Sequence, residues 1–599
     1  MHSSRRVSGS KQAIVLAIVV ASTISLSSAQ SGKRSTQVPA RPASPNEGYV
    51  GSQACALCHA AIYRNFSQTD MGRSMSEVGA SLLSTIPTPL SVFDEHLNRH
   101  FQLYAQNGSL YQSEYETAPD GKEVFRDTHV ISWLLGAAAN GMGAVVRRGN
   151  YLFEAPLSFY SSTQKWALSP GYQYGDYGFN RPILPACIAC HSGRPRPAPT
   201  GNGRFLDPPF SQLAVGCENC HGPGATHIAK MKRGLFHSAS GPSIVNPAKL
   251  TPWLADNICM GCHQIGDARV LEPGKQYKDI RPGTPLNTAL KIFLVPYDPE
   301  HSPPKDDLLE HYLSMRLSKC YRESGGRLSC ISCHDPHVEP AREEAPVYFR
   351  PKCMSCHTEK SCTATTSARQ ETTPPDDCAG CHMPKRKVIV ISHSVLTNHR
   401  IVVKPDEPFP DAAYHMTTPG LPDLVQLNAT PGVNQAPSPL VVLQAYRQAM
   451  LSHPEYRPRS WNLAQQLQTR YPNNVSVLEA LADLALQRRD LEALNSAIHY
   501  LNLARVQGTT DTSDFEELGK LLLIAGRRTE AVTTLRQAIS LSPYDAELYR
   551  LLGKAYVALG QPSEACDTLL RATEFFPQDS EMRSSAQNCN SVKTGGSSP

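Results

Sequence analysis

The stretch "CENCHGPGATH" occupies residues 217–227 and contains two cysteines, Cys217 and Cys220, followed at once by His221. A second histidine, His227, comes six residues later, after a Gly-Pro-Gly turn. Taken alone, the spacing C-x-x-C-H is compatible with half of a zinc site, a redox dithiol or a covalent haem attachment site. The rest of the chain decides among these three chemistries.

The same spacing occurs seven times, and the copies are numbered here motif 1 to motif 7 in chain order. They contain fourteen of the eighteen cysteines. Zinc does not require histidine after every second cysteine, and thioredoxin-type dithiols do not come in sevens. In haem c, two thiols add to the porphyrin vinyl groups and the adjacent histidine binds the iron. The sequence therefore predicts seven covalent haems c.

The residues predicted to attach haem are Cys55, Cys58, Cys187, Cys190, Cys217, Cys220, Cys259, Cys262, Cys330, Cys333, Cys353, Cys356, Cys378 and Cys381. The predicted proximal iron ligands are His59, His191, His221, His263, His334, His357 and His382.

Each predicted iron has a sixth position, and its occupant decides the chemistry. A second histidine gives a low-spin electron-transfer haem, whereas an open position permits catalysis. An ordinary loop histidine or a propionate partner is the alternative role for every candidate. Motif 1 is followed by no histidine until His96, so an open or methionine-ligated haem is expected there. The candidate distal ligands are His227, His337, His399, His311, His129 and His393.

The first 29 residues have the pattern of a secretory signal peptide, with Arg5, Arg6 and Lys11 before a short apolar run and small residues before Gln30. A membrane anchor is the alternative, but the run is short for a span. Export predicts a periplasmic or extracellular protein without a membrane span after cleavage. The formal charge of +5 gives no reason to expect nucleic-acid binding. Haem propionates would make the loaded protein acidic.

Two hairpin signals lie between motifs 1 and 2. Residues 100–116 alternate apolar and polar side chains around Asn107-Gly108, and residues 144–160 repeat this pattern around Arg-Gly-Asn. They predict a small antiparallel sheet inserted near the first haem. Its aromatic residues are expected to form a core: Tyr151, Phe153, Trp166 and Tyr172.

The C-terminal region has an internal period of 34 residues. Ala531 and Ala565 are 34 apart, as are Gly526 and Gly560. This is the period of tetratricopeptide repeats, in which small residues allow paired helices to approach closely. The repeats are predicted to dock a redox partner protein, or else to act as a passive helical cap. Four cysteines remain outside the motifs, and the sequence does not assign their pairing: Cys320, Cys362, Cys566 and Cys589.

The predicted fold class is mainly α: a haem-packed multihaem cytochrome c domain with a small antiparallel β insertion, followed by an α-helical tetratricopeptide solenoid. The predicted segments are a signal peptide (1–29), a flexible linker (30–48), the heptahaem domain (49–400, with the β-rich insertion at about 90–180), a Pro-rich linker (401–439), the repeats (440–580) and a flexible tail (581–599).

The motifs "YVGSQACALCH", "CENCHGPGATH", "SCISCHDPH" and "CAGCHMPK" followed by "LTNHR" resemble the multihaem cytochromes c related to the tetrahaem electron carriers of ammonia oxidisers. That superfamily also contains pentahaem nitrite reductases and octahaem hydroxylamine oxidoreductases. The resemblance, over residues 49–402, implies a wire of closely packed bis-histidine haems with His227 and His337 as distal ligands. The nitrite reductases usually carry lysine at their active haem, whereas all seven motifs here keep histidine.

Three functions follow as hypotheses. The first is electron transfer through stacked haems, with the repeats docking redox partners. The second is a multihaem oxidoreductase that acts on a small nitrogen or sulfur compound at an open haem, expected first at motif 1. The third is a scaffold that the haems merely stabilise. The sequence does not indicate the oligomeric state.

Overall fold

The computed structural model describes residues 48–199, 202–235, 243–297, 310–388, 394–404, 406–413 and 421–595. Within it, Gly48–Pro599 forms one compact unit. The predicted signal peptide lies outside the described residues, as does the predicted linker up to residue 47.

A nine-stranded antiparallel sheet dominates the region between motifs 1 and 2. Strands β2 to β8 pair in sequence order, while β1 pairs with β5 and β9 pairs with β7. The strands are β1 (Met75–Glu77), β2 (Leu90–Asp94), β3 (Arg99–Gln106), β4 (Ser109–Thr117), β5 (Glu123–Leu135), β6 (Gly141–Arg148), β7 (Tyr151–Tyr160), β8 (Lys165–Leu168) and β9 (Arg181–Pro182).

Both predicted hairpins are present. Asn107 and Gly108 connect β3 to β4 with φ values of 50° and 77°, the left-handed pair that a two-residue type I′ turn requires. Gly149, with φ of 59°, begins the connection from β6 to β7. These turns set the register that directs alternate side chains into the core.

The sheet has a substantial hydrophobic core of its own. Leu103, Leu110 and Leu134 are completely buried there. Three of the aromatic residues predicted to be core, Phe153, Trp166 and Tyr172, are also buried, whereas Tyr151 is half-buried. The sheet is therefore a structural layer that folds around apolar side chains and not around a cofactor.

The prediction of a mainly α, haem-packed fold with a small β insertion is wrong. The sheet begins with β1 at Met75 and ends with β9 at Pro182, and its core is formed by its own strands. Only two hairpins have strong local turn signals. The flanking strands depend on long-range pairing, such as Met75 of β1 with Leu135 of β5, which no local pattern reveals.

The region from the end of the sheet to residue 426 has short helices, two-residue to eight-residue strands and long connections. Its strands are β10 (Arg194–Pro197), β11 (Phe205–Gln212), β12 (Ala268–Leu271), β13 (Leu290–Leu294), β14 (Lys385–Val388), β15 (Ser394–Thr397) and β16 (Val425–Gln426). The helices before the repeats are α1 (Ser52–Ala56), α2 (Ala60–Phe66), α3 (Ala80–Leu83), α4 (Pro185–Ile188), α5 (Cys217–His221), α6 (Ala225–Lys232), α7 (Pro252–His263), α8 (His311–Leu317), α9 (Lys319–Glu323), α10 (Cys330–Cys333), α11 (Ala345–Met354), α12 (Thr366–Gln370) and α13 (Cys378–His382).

The C-terminal region is an array of paired antiparallel helices with the predicted period. Ala497, Ala531 and Ala565 are buried at equivalent positions, and Gly526 and Gly560 adopt positive φ after their helices. The helices are α14 (Pro439–Ala449), α15 (Arg457–Gln468), α16 (Val475–Leu486), α17 (Leu491–Val506), α18 (Thr512–Ile524), α19 (Arg528–Leu541), α20 (Ala546–Ala558), α21 (Pro562–Phe575) and α22 (Ser580–Gly595). A disulfide joins Cys566 of α21 to Cys589 of α22.

The helical array contacts the rest of the protein at both ends. At its start, α14 packs against β12, where Val441 and Ala445 share a buried cluster with Val270. At its end, Arg583 of α22 forms an ion pair with Glu116 of β4 at 2.9 Å. The array is therefore held against both the motif-bearing region and the sheet.

Two equivalent glycines in successive repeats give a test of this packing. A methyl group added at Gly519 would lie 2.7 Å from Cδ2 of the fully buried Leu535, whereas one at Gly553 would meet Leu569 at an ordinary 3.5 Å. Gly553→Ala should raise the free energy of unfolding by up to about 1 kcal/mol through helix propensity. Gly519→Ala should lower it by about 1 kcal/mol because overpacking exceeds that gain. Denaturant titrations followed by far-UV circular dichroism measure both; equal effects would contradict the packing.

Candidate functional site

Every C-x-x-C-H motif begins on a helix, which explains its geometry. The first cysteine of each copy lies in α1, α4, α5, α7, α10, α11 or α13. In motifs 1, 5 and 6 the turn continues past the end of the helix to the histidine, as shown by the bonds from the backbone N–H of His59, His334 and His357 to the carbonyl of the first cysteine. Residues three and four apart lie on one side of a helix, so the thiols and the imidazole share a face.

The motifs pack against one another in an order that differs from chain order. The thiols of Cys55 and Cys217 contact each other, joining motif 1 to motif 3. Cys190 contacts Cys262, which joins motif 2 to motif 4, and Cys259 of motif 4 contacts Cys330 of motif 5.

Weaker electrostatic interactions between thiols extend this network. Cys220 of motif 3 lies near Cys259 of motif 4. Cys353 of motif 6 lies near Cys333 of motif 5 and Cys378 of motif 7. Burial is the main cause that raises the pKa of Cys220 to about 12 and that of Cys353 to about 11. Motifs 1, 3, 4, 5, 6 and 7 form one continuous row, and motif 2 branches from motif 4.

Four motif histidines each face a histidine from a different segment. The ring centroids of His59 and His227 lie 6.4 Å apart, and the two planes differ by 20°. For His221 and His337 the values are 6.0 Å and 16°.

The other two pairs meet at the boundary between motifs 4 and 5. The ring centroids of His263 and His311 lie 5.7 Å apart, and those of His334 and His399 lie 6.1 Å apart. The rings of His311 and His399 themselves stack at 4.2 Å. Two predicted sites of axial ligation are thus in direct contact through their non-motif histidines.

These separations fit a metal ion between the two rings. An imidazole nitrogen binds a transition metal at about 2 Å, so two rings on opposite sides of one ion place their centroids about 6 Å apart. Direct ring stacking, as in the contact between His311 and His399, is much closer at 4.2 Å. The four pairs therefore have the spacing expected for bis-histidine ligation of haem iron.

Hydrogen bonds at the other ring nitrogen support the same assignment. Metal-bound histidines usually donate the second N–H to a carbonyl, carboxylate or hydroxyl, which fixes the tautomer. His221 Nδ1 lies 2.8 Å from the carbonyl oxygen of Val245, and His382 Nδ1 lies 2.6 Å from that of Val402. Donation from Nδ1 leaves Nε2 as the atom with a free lone pair.

Three of the non-motif histidines have equivalent partners. His227 Nδ1 lies 3.2 Å from the Ser243 hydroxyl. His337 Nδ1 lies 3.0 Å from the Asp335 carboxylate, and His399 Nδ1 lies 3.1 Å from the Thr397 carbonyl. The fourth, His311, has a buried Nδ1 without a hydrogen-bond partner among the described residues.

Burial favours the neutral imidazoles of His311 and His399, which is the form that binds metals. It lowers the pKa of His311 to about 2 and that of His399 to about 4, with neighbouring histidines adding to the shift. The pKa values of His263 and His334 are lowered for the same main reason.

A cavity of about 2830 Å³ connects motifs 4 to 7 and reaches one cysteine each of motifs 2 and 3. Small-molecule pockets usually enclose about 300–1,000 Å³, so this space is sized for several large groups. Its apolar lining includes Ile258, Leu328 and Phe349. Cys320 and Cys362, two of the cysteines whose pairing the sequence left open, also line it, and both are free thiols.

The structure does not bring every predicted ligand to a motif. His129 lies on β5, where its Nε2 is 2.8 Å from Asp127 and its ring packs on Phe179. His393 lies outside the described residues. In the described part of the chain, His191, His357 and His382 have no second histidine ring against them.

The sequence reasoning missed the buried polar residues that join motifs. The Asp256 carboxylate, three residues before Cys259, accepts the backbone N–H of Cys330 at 2.9 Å. Gln264, directly after His263, accepts the N–H of Leu313 at 3.0 Å on the helix that carries His311. Their only signal in the sequence is a polar residue beside a motif, which is too common to identify them.

Among the described residues, no group of three or more His, Cys, Asp or Glu side chains is placed to hold a metal ion. None of the helices described above combines the length and apolar character needed to span a bilayer.

Comparisons with known proteins concern the helical array. Residues 522–589 match the family described as Tetratricopeptide repeat. No curated protein matches the chain. Among solved structures, one titled "Crystal structure of MamA" is 20% identical, covers 24% of this chain and 84% of its own, and has a TM-score of 0.22. "YrrB: a TPR protein with an unusual peptide-binding site" is 17% identical, with 26% and 77% coverage and a TM-score of 0.23.

The C-terminal part of the chain thus contains tetratricopeptide repeats, which generally bind other proteins. The nine-stranded sheet with its own apolar core overturns the predicted fold class, in which the β part was only a small insertion.

The cavity yields a prediction for the chain prepared without haem loading. Protein interiors are close-packed, so the walls of a mostly apolar cavity of this size are expected to be stable only when bulky groups fill it. Limited proteolysis of the unloaded chain should cut within residues 310–402 and leave residues 439–589 protected, whereas the loaded chain should resist at both regions. Equal resistance of the loaded and unloaded chains within residues 310–402 would contradict the cofactor-dependent packing.

Proposed function

We propose that this protein is an exported c-type cytochrome that carries seven covalent haems and transfers electrons between partner proteins. One observation carries the proposal: four motif histidines each lie about 6 Å from a histidine of another segment, the spacing of two axial ligands. Two histidine ligands favour electron transfer because they leave no position on the iron for a substrate.

The residues of the chain would have distinct roles. The fourteen motif cysteines would attach the porphyrins, and the seven motif histidines would bind the iron from one side. His227, His337, His311 and His399 would bind from the other side at motifs 1, 3, 4 and 5. When bound, haem would supply the one-electron redox couple, and two imidazole ligands on one iron would favour its low-spin state.

The packing order of the motifs suggests the route. Motif 4 contacts motifs 2, 3 and 5 and would be the branch point. Motifs 1, 2 and 7 would be the ends of the row, where electrons are exchanged with partners. Stacking of His311 on His399 at 4.2 Å supports close approach of the sites at motifs 4 and 5.

The repeats would dock the redox partner, since solenoids of this type present extended surfaces to other proteins. Their contacts with β12 and with β4 would hold a docked protein at a fixed distance from the motif region. The signal-peptide pattern supports a periplasmic or extracellular location.

A second function, a multihaem oxidoreductase, is favoured by a different observation. His357 and His382 line the large cavity and lack a second histidine ring among the described residues. An open iron there could bind a small nitrogen or sulfur compound. Motif 1, where an open haem was expected, is disfavoured because His227 faces His59.

The first test is the mass and spin state of the haem-loaded protein. We expect the mature polypeptide plus seven haems, with low-spin ferric signals for at least four of them. His337→Ala should convert one low-spin haem, that of motif 3, to high-spin because His221 then lacks its partner. His129→Ala is the matched control and should leave the spin populations unchanged, since that histidine lies in the sheet.

Electron paramagnetic resonance with spin quantification measures these populations. A polypeptide mass without haem, or one that carries zinc, would refute the proposal. Haem-loaded protein that is mostly high-spin and that turns over nitrite, hydroxylamine or a sulfur oxyanion would favour the oxidoreductase instead.

A further inference from the structure

Glu218 occupies a position that haem attachment leaves chemically free. It is the first residue between the two cysteines of motif 3, "CENCH". Its side chain is only 5% exposed, although a carboxylate at a free position would normally face water. No Lys, Arg or His side chain forms an ion pair with it in the part of the chain that the structure describes.

Backbone groups from two other segments compensate the buried charge. Oε1 accepts the N–H of Gly224 at 2.8 Å and that of Val50 at 3.0 Å. Oε2 accepts the N–H of Gly51 at 2.8 Å and also lies 3.1 Å from the Val50 nitrogen. Charge-assisted bonds of this kind are about twice as strong as neutral ones.

These bonds join the starts of two helices. Gly51 is the N-cap residue of α1, which carries Cys55 and leads to His59. Gly224 is the N-cap residue of α6, which carries His227. Neither helix start has a capping hydrogen bond from the side chain of its N-cap residue, because both residues are glycine. The Glu218 carboxylate accepts backbone N–H groups at both helix starts instead.

The backbone at Gly51 and at Gly224 has little room to change its conformation or position. Gly51 has φ of 81°, a conformation that L side chains rarely adopt. A methyl group at Gly224 would lie 3.3 Å from Val50 and 3.4 Å from Glu218, so the two segments meet closely. The Ser52 hydroxyl also accepts the N–H of Cys217 at 3.1 Å, which fixes motif 1 against motif 3.

We propose that Glu218 is a positioning residue that sets the distance between His59 and His227, and thereby the axial ligation of the haem at motif 1. One carboxylate determines where both helices begin, and the two rings lie 6.4 Å apart as a result. The inference rests on the proposed haem at motif 1. It adds a residue that is neither part of motif 1 nor one of its two proposed histidine ligands.

The test compares four variants of the full-length, haem-loaded protein. Glu218→Ala removes both acceptors, and Glu218→Gln keeps one oxygen but turns an amide toward an N–H. His227→Ala is the positive reference because it removes the ligand itself. Glu154→Gln is the matched control: Glu154 is a carboxylate in the sheet that pairs with Arg181 at 2.7 Å, far in sequence from any motif.

Intact mass and ferric spin quantification are the readouts. All four variants should keep seven haems. Glu218→Ala should convert about one haem in seven to high-spin, as His227→Ala does, and Glu218→Gln should convert a smaller fraction. Added imidazole should restore the low-spin signal in both Glu218→Ala and His227→Ala. Glu154→Gln should keep the wild-type spin populations even if it unfolds more readily.

A Glu218→Ala protein with as many low-spin haems as the wild type, or with a spin change spread over several haems, would overturn the inference. If the Glu218→Ala protein cannot be produced, the Glu218→Gln protein provides the test. A wild-type spin state in Glu218→Gln would then contradict the inference. A wild-type protein whose mass shows no haem would instead refute the proposed function. Intact mass therefore distinguishes failure of the proposed function from failure of the inference about Glu218.

Discussion

The account depends on one spatial constraint: a motif histidine and a histidine from a distant segment must lie on opposite sides of a single iron. His221 and His337 are separated by 116 residues in sequence, yet their rings lie 6.0 Å apart and nearly parallel. Helical turns fix one ring beside its two cysteines. The second ring depends on the packing of whole segments, and so the tertiary structure, not the motif, completes each site.

The nine-stranded sheet and the helical repeats support the motif region, in which this constraint must be met. The nine-stranded sheet has its own apolar core, and the helical repeats have theirs. The motif region contains a large cavity with a mostly apolar lining, and cysteine and histidine side chains of motifs 4 to 7 also line it. Layers with apolar cores of their own can hold the motif region, for which cofactors are proposed, in place.

Local signals predicted part of this arrangement. The Asn107-Gly108 turn and the 34-residue spacing of Ala531 and Ala565 specify structure within a few residues or one repeat, and both are present as predicted. The extent of the sheet was not predictable, because short strands such as Met75–Glu77 gain their identity from pairing with Leu135 and its neighbours.

For the candidate site, too, local sequence signals predicted one part and long-range packing decided the rest. Proximity to a motif identified His227 and His337 as candidates for ligands of a neighbouring iron, but it did not say which motif histidine each one faces. Long-range packing sets that choice. His129 lies instead in the sheet, with its Nε2 2.8 Å from the Asp127 carboxylate. Glu218 gave no signal, since its position between two cysteines accepts any residue as far as haem attachment is concerned.

The most direct measurement is an electron cryomicroscopy or crystal structure of the haem-loaded protein at a resolution that defines porphyrin planes. The account predicts planar density joined to Cys217 and Cys220, with its centre between the rings of His221 and His337, and equivalent density at the other three histidine pairs. Density for zinc held by the thiols, or histidine rings in direct contact with nothing between them, would contradict it.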